Sequence, residues 1–456
     1  MGKNNQILFA LLLLITIGSH AQSKKWTIRE CVDYALKNNI SIRNTELDGQ
    51  LAAIDKSDAR GNFLPNFNAN ASHSWNVGLN QNITTGLLEN QTTQFTSAGV
   101  NANVDIYKGL QNHNRYRRSV LAVLSAQYQL DKMKDDVSLS VANAFLQILF
   151  NKENIKVQKE LLAANERQFN RTQQLVDAGS VPRGDLLDIK ATVADSKQKL
   201  IAAENALLIS KLSLAQLLQL DDFRNFDIAD EDYDARQSEV MFQTPDAIYK
   251  KALENRAEVK LAQNNVEIAN KDIAIARGAY QPTLQGFYSF NTRISYANIP
   301  VFDSIGRVIG TRNADPFFNQ FSDNKGHNFG LQLTVPILNG FAIRNNVARS
   351  KVAAERAKIA LEQSQLDLER TVYTAFTDAN GAFNTYESAV TALEARKNAF
   401  EYAQARYDVG MMNAFDYNQA QTLYANAQSD LLRTKYDYIF RTKIVEFYFG
   451  IPIIQK

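Results

Sequence analysis

The chain has 456 residues, with 50 Lys and Arg against 48 Asp and Glu, a formal charge of +2. That balance offers no electrostatic footprint for nucleic acid, and a single cysteine, Cys31, excludes an internal disulfide. The length would hold two or three ordinary domains, but an internal duplication explains it better.

The first segment reads as an export signal. Lys3 precedes the apolar run Ile7–Ile17 and then Ser19-His20-Ala21, a small-x-small cleavage pattern. The run is shorter than the roughly 20 residues a bilayer-spanning helix needs. The expectation is a signal peptide over 1–21 and a mature channel protomer over 22–456. No later stretch is expected to cross a membrane as a helix.

Trp26–Asn38 predicts a short amphipathic helix, with Thr27 and Glu30 spaced as a capping box. Cys31, among Ile28, Val32 and Leu36, reads as core. A second helix, Ser41–Asn62, ends before Pro65. After Pro65 the period becomes two. Phe67, Ala69, Ala71, His73, Trp75 and Val77 alternate with an Asn- and Ser-rich set, and after a polar loop Ala98, Val100, Ala102, Val104 and Ile106 do the same. Two strands of about ten residues, at about 65–78 and 96–107, with one apolar face, have the length and pattern of membrane-barrel strands.

A Pro-free and Gly-free stretch follows, Gln111–Ala178, within a predicted helix of about 110–178. At about 1.5 Å per residue it would be on the order of 100 Å long. Leu139, Ala142, Leu146 and Leu149 lie beside Val137, Val141, Ala144 and Ile148 as two adjacent heptad seams, so the helix can pack on neighbours to both sides. A shorter helix, Asp185–Leu220, runs back. Asp221–Thr244, containing Asp230-Glu231-Asp232, reads as a solvated acidic linker.

Then the chain starts again. Ala35-Leu36-Lys37-Asn38 recurs as Ala252-Leu253-Glu254-Asn255, and Ala59-Arg60-Gly61 with Pro65 as Ala276-Arg277-Gly278 with Pro282, all displaced by 217. Two more strands are predicted at about 282–294 and 327–338. Gly109 matches Gly340, Arg118 matches Arg349, Phe145 matches Phe376, Gly179 matches Gly410 and Asp185 matches Asp416, all displaced by 231. The difference is an insertion in the second hairpin's loop, roughly 297–325. The second long helix, about 341–409, carries the seam Leu368, Val372, Ala375, Ala379, Ala382 and Tyr386. The repeats run over about 26–220 and 245–451.

Four strands cannot close a barrel, and in lipid every backbone group needs a partner. Two copies would supply eight strands, about the smallest membrane barrel, with a lumen filled by side chains; three supply twelve and a usable pore. With these marks in place, the chain resembles an outer-membrane efflux protein of the TolC family over roughly Trp26–Ile451. The resemblance implies a mainly α protomer with a membrane β-hairpin pair, which closes only as a homotrimer into an outer-membrane β-barrel and a long periplasmic α-helical barrel. It further implies a passive exit duct for drugs or other small molecules, fed by an inner-membrane pump of the RND or ABC type through a periplasmic adaptor (membrane fusion protein) and seated in outer-membrane lipid. Type I protein secretion is the alternative cargo class.

Two turns of form Gly-x5-Asp carry the expected sites. Gly179, Ser180, Val181 and Pro182 in the first, and Gly410, Met411, Met412 and Asn413 in the second, are the expected adaptor-docking residues. Gly179 and Gly410 suit a left-handed helix end, Asn413 an N-cap, Pro182 a helix start, and Asp185 and Asp416 the first turn of the next helix. Capping alone would explain both aspartates. By position in the family, Asp416 resembles a member of an acidic ring at the periplasmic mouth, and Asp185 and Tyr407 resemble residues that hold that mouth closed. Met412 stands where the family pattern has a basic lock residue and Gln419 where it has a second ring carboxylate, which leaves Arg183 or Arg406 as candidate substitutes.

Against an enzyme, the mature chain holds only His73, His113 and His327, with no Gly-rich phosphate loop and no metal-ligand spacing. No cofactor is expected. A soluble periplasmic coiled-coil scaffold would share the long helices but not the four membrane-length strands, and a diffusion porin would not need the long helices.

Overall fold

The computed structural model describes residues 25–81, 86–230, 235 and 237–452. The expected leader at 1–21 lies outside them. Among the described residues nine helices, eight strands and one 3-10 turn follow one another, and the duplication governs their order. In the first repeat, α1 (Ile28–Asn38) and α2 (Ile40–Gly61) lead to β2 (Asn66–Gln81) and β3 (Leu88–Lys108), then α3 (Gln111–Asp177) and α4 (Arg183–Leu218). The second repeats this as α5 (Pro245–Asn255), α6 (Ala257–Gly278), β5 (Thr283–Ser295), β8 (Gly326–Thr334), α8 (Ala342–Asp408) and α9 (Ala414–Phe449). The four helix pairs begin and end at sequence offsets of 217 or 231, so the duplicated pattern is a duplicated backbone.

The chain divides into two compact units. One contains Gln127–Leu261, the residues from Leu361 on and the described residues up to Asp48. Its core is built twice. Cys31, Val32, Ala35, Ile42, Val141, Phe145, Ile148 and Leu214 form one cluster. Ile248, Ala252, Val259, Leu368, Val372, Ala379 and Val445 form a second, largely at the repeat-equivalent positions. Both draw on the heptad positions that face inward on the long helices, where burial of apolar side chains supplies the main stabilisation.

The connector between the repeats is not a solvated linker, contrary to the reading of its charge. Phe226 and Ile228 close the first cluster, while Val240 and Met241, in the 3-10 turn Glu239–Phe242, close the second. Short β1 (Lys25–Trp26) pairs in parallel with β4 (Asp227–Ile228). Two of its acidic side chains bind within the chain: Lys152 lies 3.0 Å from Asp227 and 2.8 Å from Asp230, and Lys25 lies 2.6 Å from Asp230. The hydrogen bonds from Lys152 and Lys25 hold the Asp230 carboxyl at about 2, below the ordinary 3.8. Residues 231–234 lie outside the described set.

The other unit, Gly49–Ala126 with Ala262–Ala360, holds an antiparallel sheet of order β2-β3-β5-β8. The register puts Phe67, Ala102, Tyr288 and Phe329 in one row across all four strands, and Asn68, Asn101, Ser289 and Asn328 in the adjacent row. The period-two faces read from the sequence are therefore continuous across the sheet.

Strand lengths differ from expectation. β3 starts at Leu88 rather than about 96, and its ladder with β2 continues through the polar residues to Gln81 opposite Leu88. Backbone ladders do not require apolar side chains, and Thr92, Thr93 and Thr96 are good strand formers. β8 stops at Thr334, short of 338, because Pro336 cannot donate to a ladder. The expected insertion loop carries its own structure: a hairpin of β6 (Ile299–Phe302) and β7 (Val308–Arg312), then α7 (Phe317–Asp323).

One helix departs from the expectation about membrane-spanning segments. α4 contains a window apolar enough to cross a bilayer by length and composition. Ile189, Leu214, Ala215 and Leu218 on it are buried against the protein, while Leu187, Leu208 and Ile209 are exposed. A helix that packs on neighbours to both sides is apolar over more of its circumference than a one-sided amphipathic helix.

Candidate gate and docking turns

The sequence ends both long helices in the same way. Gly179 and Gly410 adopt φ of 74° and 77°, the left-handed conformation that a Cβ would strain. The amide of Ser180 donates to the Leu175 carbonyl at 2.8 Å and that of Gly179 to Val176 at 2.9 Å. Met411 donates to Arg406 at 2.8 Å and Gly410 to Tyr407 at 3.0 Å. These paired bonds make two Schellman ends.

The following helices start differently. Asn413 is the N-cap of α9, its Oδ1 accepting from the Asp416 amide at 2.8 Å. Its Nδ2 also donates to the Asp416 carboxylate at 2.9 Å. Asp416 is thus held by its cap at an exposed position in the first turn. Pro182 takes the N-cap place of α4, with φ −66° and no side-chain acceptor to offer. Asp185 lies in the first turn and is half-buried, its amide reaching back to the Pro182 carbonyl at 3.2 Å.

Ser180, Gly410, Met411 and Asn413 are exposed, and Val181 and Met412 are half-buried. Gln419 is exposed on α9, as is Arg183 at the start of α4. Arg406 stays with its own turn, donating to the Met411 carbonyl at 3.4 Å.

Tyr407 is tied across to the other long helix. Its hydroxyl accepts from Gln168 Nε2. Its ring stacks on buried Tyr417, centroids 4.6 Å apart and planes at 18°, with the Arg171 guanidinium 5.4 Å from its centroid. Beside it Arg171 Nη1 donates to Asp408 Oδ1 at 2.6 Å. That bond raises the guanidinium's affinity for its proton, and burial pushes the Tyr417 phenol up. The Arg171–Asp408 pair is about half exposed, so its worth comes from belonging to a network rather than from one pair.

Sequence reading missed Gln168, Arg171, Asp408 and Tyr417. Asp408 sits just before the turn and Arg171 at the matching end of α3, the one local hint. The partnership crosses a sequence separation of 237 residues. The structure brings Asp416 to Asn413 and Tyr407 to Gln168 and Tyr417. It shows no ion pair of Asp185 among the described residues.

The arrangement can order two helix ends side by side, present apolar and amide surface at the tips, and place an exposed carboxylate at the head of a helix. Among the described residues no group of His, Cys, Asp and Glu could hold a metal ion.

The sequence matches the family described as "Outer membrane efflux protein" over residues 31–219 and 248–441. It is 22% identical to the outer membrane protein TolC of Vibrio cholerae over 442 residues, covering 95% of this chain and 92% of that one. Among solved structures, the CmeC outer membrane channel of Campylobacter jejuni superposes with a TM-score of 0.74 at 20% identity, covering 94% of this chain and 87% of that one. A membrane protein from Pseudomonas aeruginosa gives 0.76 at 18%, covering 93% and 90%.

Proposed function

The chain belongs to the outer membrane efflux protein family, and from that premise we propose that it is the outer-membrane exit duct of a tripartite export system. It passively conducts drugs or other small molecules delivered by an inner-membrane pump through a periplasmic adaptor. The family is one of ducts, not enzymes.

The observation that carries this reading is the sheet. Its two outermost strands, β2 and β8, leave their outer edges unpaired among the described residues, and one face presents Phe67, Trp75, Phe329 and Leu331 at 60–76% exposure. In water such a face and two open edges favour aggregation. In lipid the face is solvated, and neighbouring copies must satisfy the edges. Three copies supply twelve strands, wide enough for a pore, and their helices extend into the periplasm.

In this duct the two turns form the periplasmic mouth and, with Met411 and Met412 as soft apolar contacts, the adaptor-docking tips. Three Asp416 carboxylates around the lumen favour cations. The missing basic residue at Met412 is replaced by the bridge from Arg171 and Gln168 to Asp408 and Tyr407, which holds the mouth narrow.

Purified protein added to a planar bilayer tests the reading. Stable cation-selective conductance from a detergent-extracted trimer is expected, whereas a water-soluble monomer without conductance overturns it. Asp416→Asn lowers cation selectivity, and unchanged selectivity removes that residue's role. Arg171→Ala raises basal conductance, and an unaltered closed level removes the bridge's role.

A further inference from the structure

The sheet has a second face, opposite the apolar one, and its chemistry is narrow. Directly paired residues of neighbouring strands point to the same side of a sheet. One row of this face is Asn68, Asn101, Ser289 and Asn328. The next row towards α3 is Asn66, Asn103, Phe287 and Gly330, and the next row away from it is Asn70, Gly99, Asn291 and Gly326. Every position in the three rows is Asn, Ser, Phe or Gly.

The glycines shape this surface. A Cβ on Gly330 would lie 3.1 Å from Phe287 Cζ, so the Phe287 ring lies across the glycine of the neighbouring strand. A Cβ on Gly326 would lie 3.1 Å from Asn291 Oδ1, and one on Gly99 would lie 3.4 Å from Asn70 Oδ1. In each case a planar side chain leans over its paired glycine. Hydrogen bonds then fix the amides. Ser289 Oγ donates to Asn101 Oδ1 at 2.8 Å, Asn101 Nδ2 to Asn70 Oδ1 at 3.3 Å, and Asn68 Nδ2 to Asn66 Oδ1 at 2.9 Å. An amide has two donor hydrogens and two acceptor lone pairs, so these exposed asparagines keep further donors and acceptors for a solute. Charge enters at the borders. Asp105, one row nearer α3, accepts from Lys108 at 2.7 Å. Arg293, one row beyond Asn291, holds its guanidinium 3.8 Å from the centroid of Phe95.

Such a surface suits one kind of solute. A charged molecule meets no opposite charge here to replace its water. A sugar hydroxyl is donor and acceptor at once, as is an Asn amide. The C–H side of a sugar ring is drawn to the negative face of an aromatic ring. We propose that the polar face of the sheet is a binding track for neutral polyhydroxylated cargo, an uncharged oligosaccharide or glycoside. Asn68, Asn101 and Asn328 are its hydrogen-bonding rungs and Phe287 its apolar platform. The inference rests on the oligomeric duct proposed above, in which this face lines the lumen, and it names the class of cargo that the lumen holds best. Contacts of this kind are exposed and individually weak, so the solute can leave as well as enter.

Block of the current by sugar tests the track. Full-length protein in a planar bilayer is titrated with maltohexaose and, separately, with a polyethylene glycol of the same hydrodynamic size. Maltohexaose is expected to block the current saturably, whereas the polyethylene glycol lowers it only in proportion to the conductivity of the solution. Asn101→Ala and Phe287→Ala, each read against its own unblocked current, should raise the half-blocking sugar concentration several-fold. The two together should raise it about tenfold, as the loss of one or two ordinary contacts implies. Should a variant fail to assemble, the comparison of sugar with polyethylene glycol on the parent decides alone. A sugar that blocks no better than the polyethylene glycol overturns the track and leaves the duct intact, and so does a saturable block that both variants retain. Protein that carries no current overturns both.

Discussion

The two repeats share a backbone but not a chemistry, and the joint between their paired helices shows the difference best. In the first repeat, Asn39 sits buried between α1 and α2, and its amide donates to the Leu217 carbonyl at the end of α4 at 2.9 Å. At the equivalent place in the second, Arg256 is equally buried between α5 and α6. Its guanidinium lies 4.1 Å from the centroid of Phe447 on α9 and 3.2 Å from both Asp135 and Glu258. Burial raises the Asp135 carboxyl, partly offset by Arg256. One joint is a neutral hydrogen bond between adjacent elements. The other is a cation clamped between an aromatic ring and carboxylates, and through Asp135 it also ties the second repeat to the first. The backbone geometry is therefore set by helix length, turn and heptad seam, and the side chains at the joint are free to vary so long as each polar group finds a partner.

This comparison is broken most severely at the repeat boundary. A Cβ on Gly109 would lie 2.1 Å from the Gly278 carbonyl oxygen, and Gly109 holds a left-handed φ of 58°, so Gly109→Ala should cost above about 4 kcal/mol, or abolish folding, in denaturant unfolding. Gly179→Ala, where nothing lies within 4 Å, should cost only the conformational strain, about 1–2 kcal/mol. Equal effects of the two would show that close approach does not matter.

The joints come next. Arg256→Ala leaves two carboxylates without their cation. Both retain some solvent, so the loss should be near the low end for a broken buried pair, about 3 kcal/mol. Asn39→Ala should cost about 1–2 kcal/mol, because it removes one neutral bond. The order should reverse under no buffer condition near neutrality; a larger loss at Asn39 contradicts the clamp.

The turns differ by less. Asn413→Ala removes the side-chain cap of α9 and should lower thermal stability by about 1 kcal/mol. Pro182→Ala in the uncapped first turn removes no hydrogen bond and should lie within about 0.5 kcal/mol of the parent.

The smallest effect is local and pH-dependent. Asp230 has a depressed folded-state pKa, so its contribution is complete above its ordinary value near 3.8 and is lost as the pH falls from about 4 to about 2. The protection of the Ala229 amide, which donates to the Trp26 carbonyl at 2.8 Å, should fall over that window when measured against its intrinsic exchange rate. Lys152→Met should shift the window upward.

Much of this architecture is local and therefore legible from the chain alone. The helix ends at Gly179 and Gly410, the capping role of Asn413 and the alternating faces of the strands all follow from a residue and its near neighbours. So does the duplication, which fixes where each helix of the second repeat must begin. The connector misled because Asp227 and Asp230 lie close together in sequence, whereas the lysines that bind them, Lys152 on α3, Lys211 on α4 and Lys25 on β1, do not. The polar run before 96 misled because side-chain polarity marks the solvent boundary of a strand, not the end of its ladder.

By itself the sequence determined the long helices and their ends, the repeat offset and the apolar faces of the strands, since periodicity and Gly or Pro punctuation act within a few residues. Only the tertiary structure decided which side chains meet: Arg171 with Asp408, Arg256 with Asp135 and Phe447, Gly109 with Gly278. Those partners lie 100 or more residues apart, and a hydrogen bond or steric contact is specified by distances of about 3 Å that no linear pattern encodes.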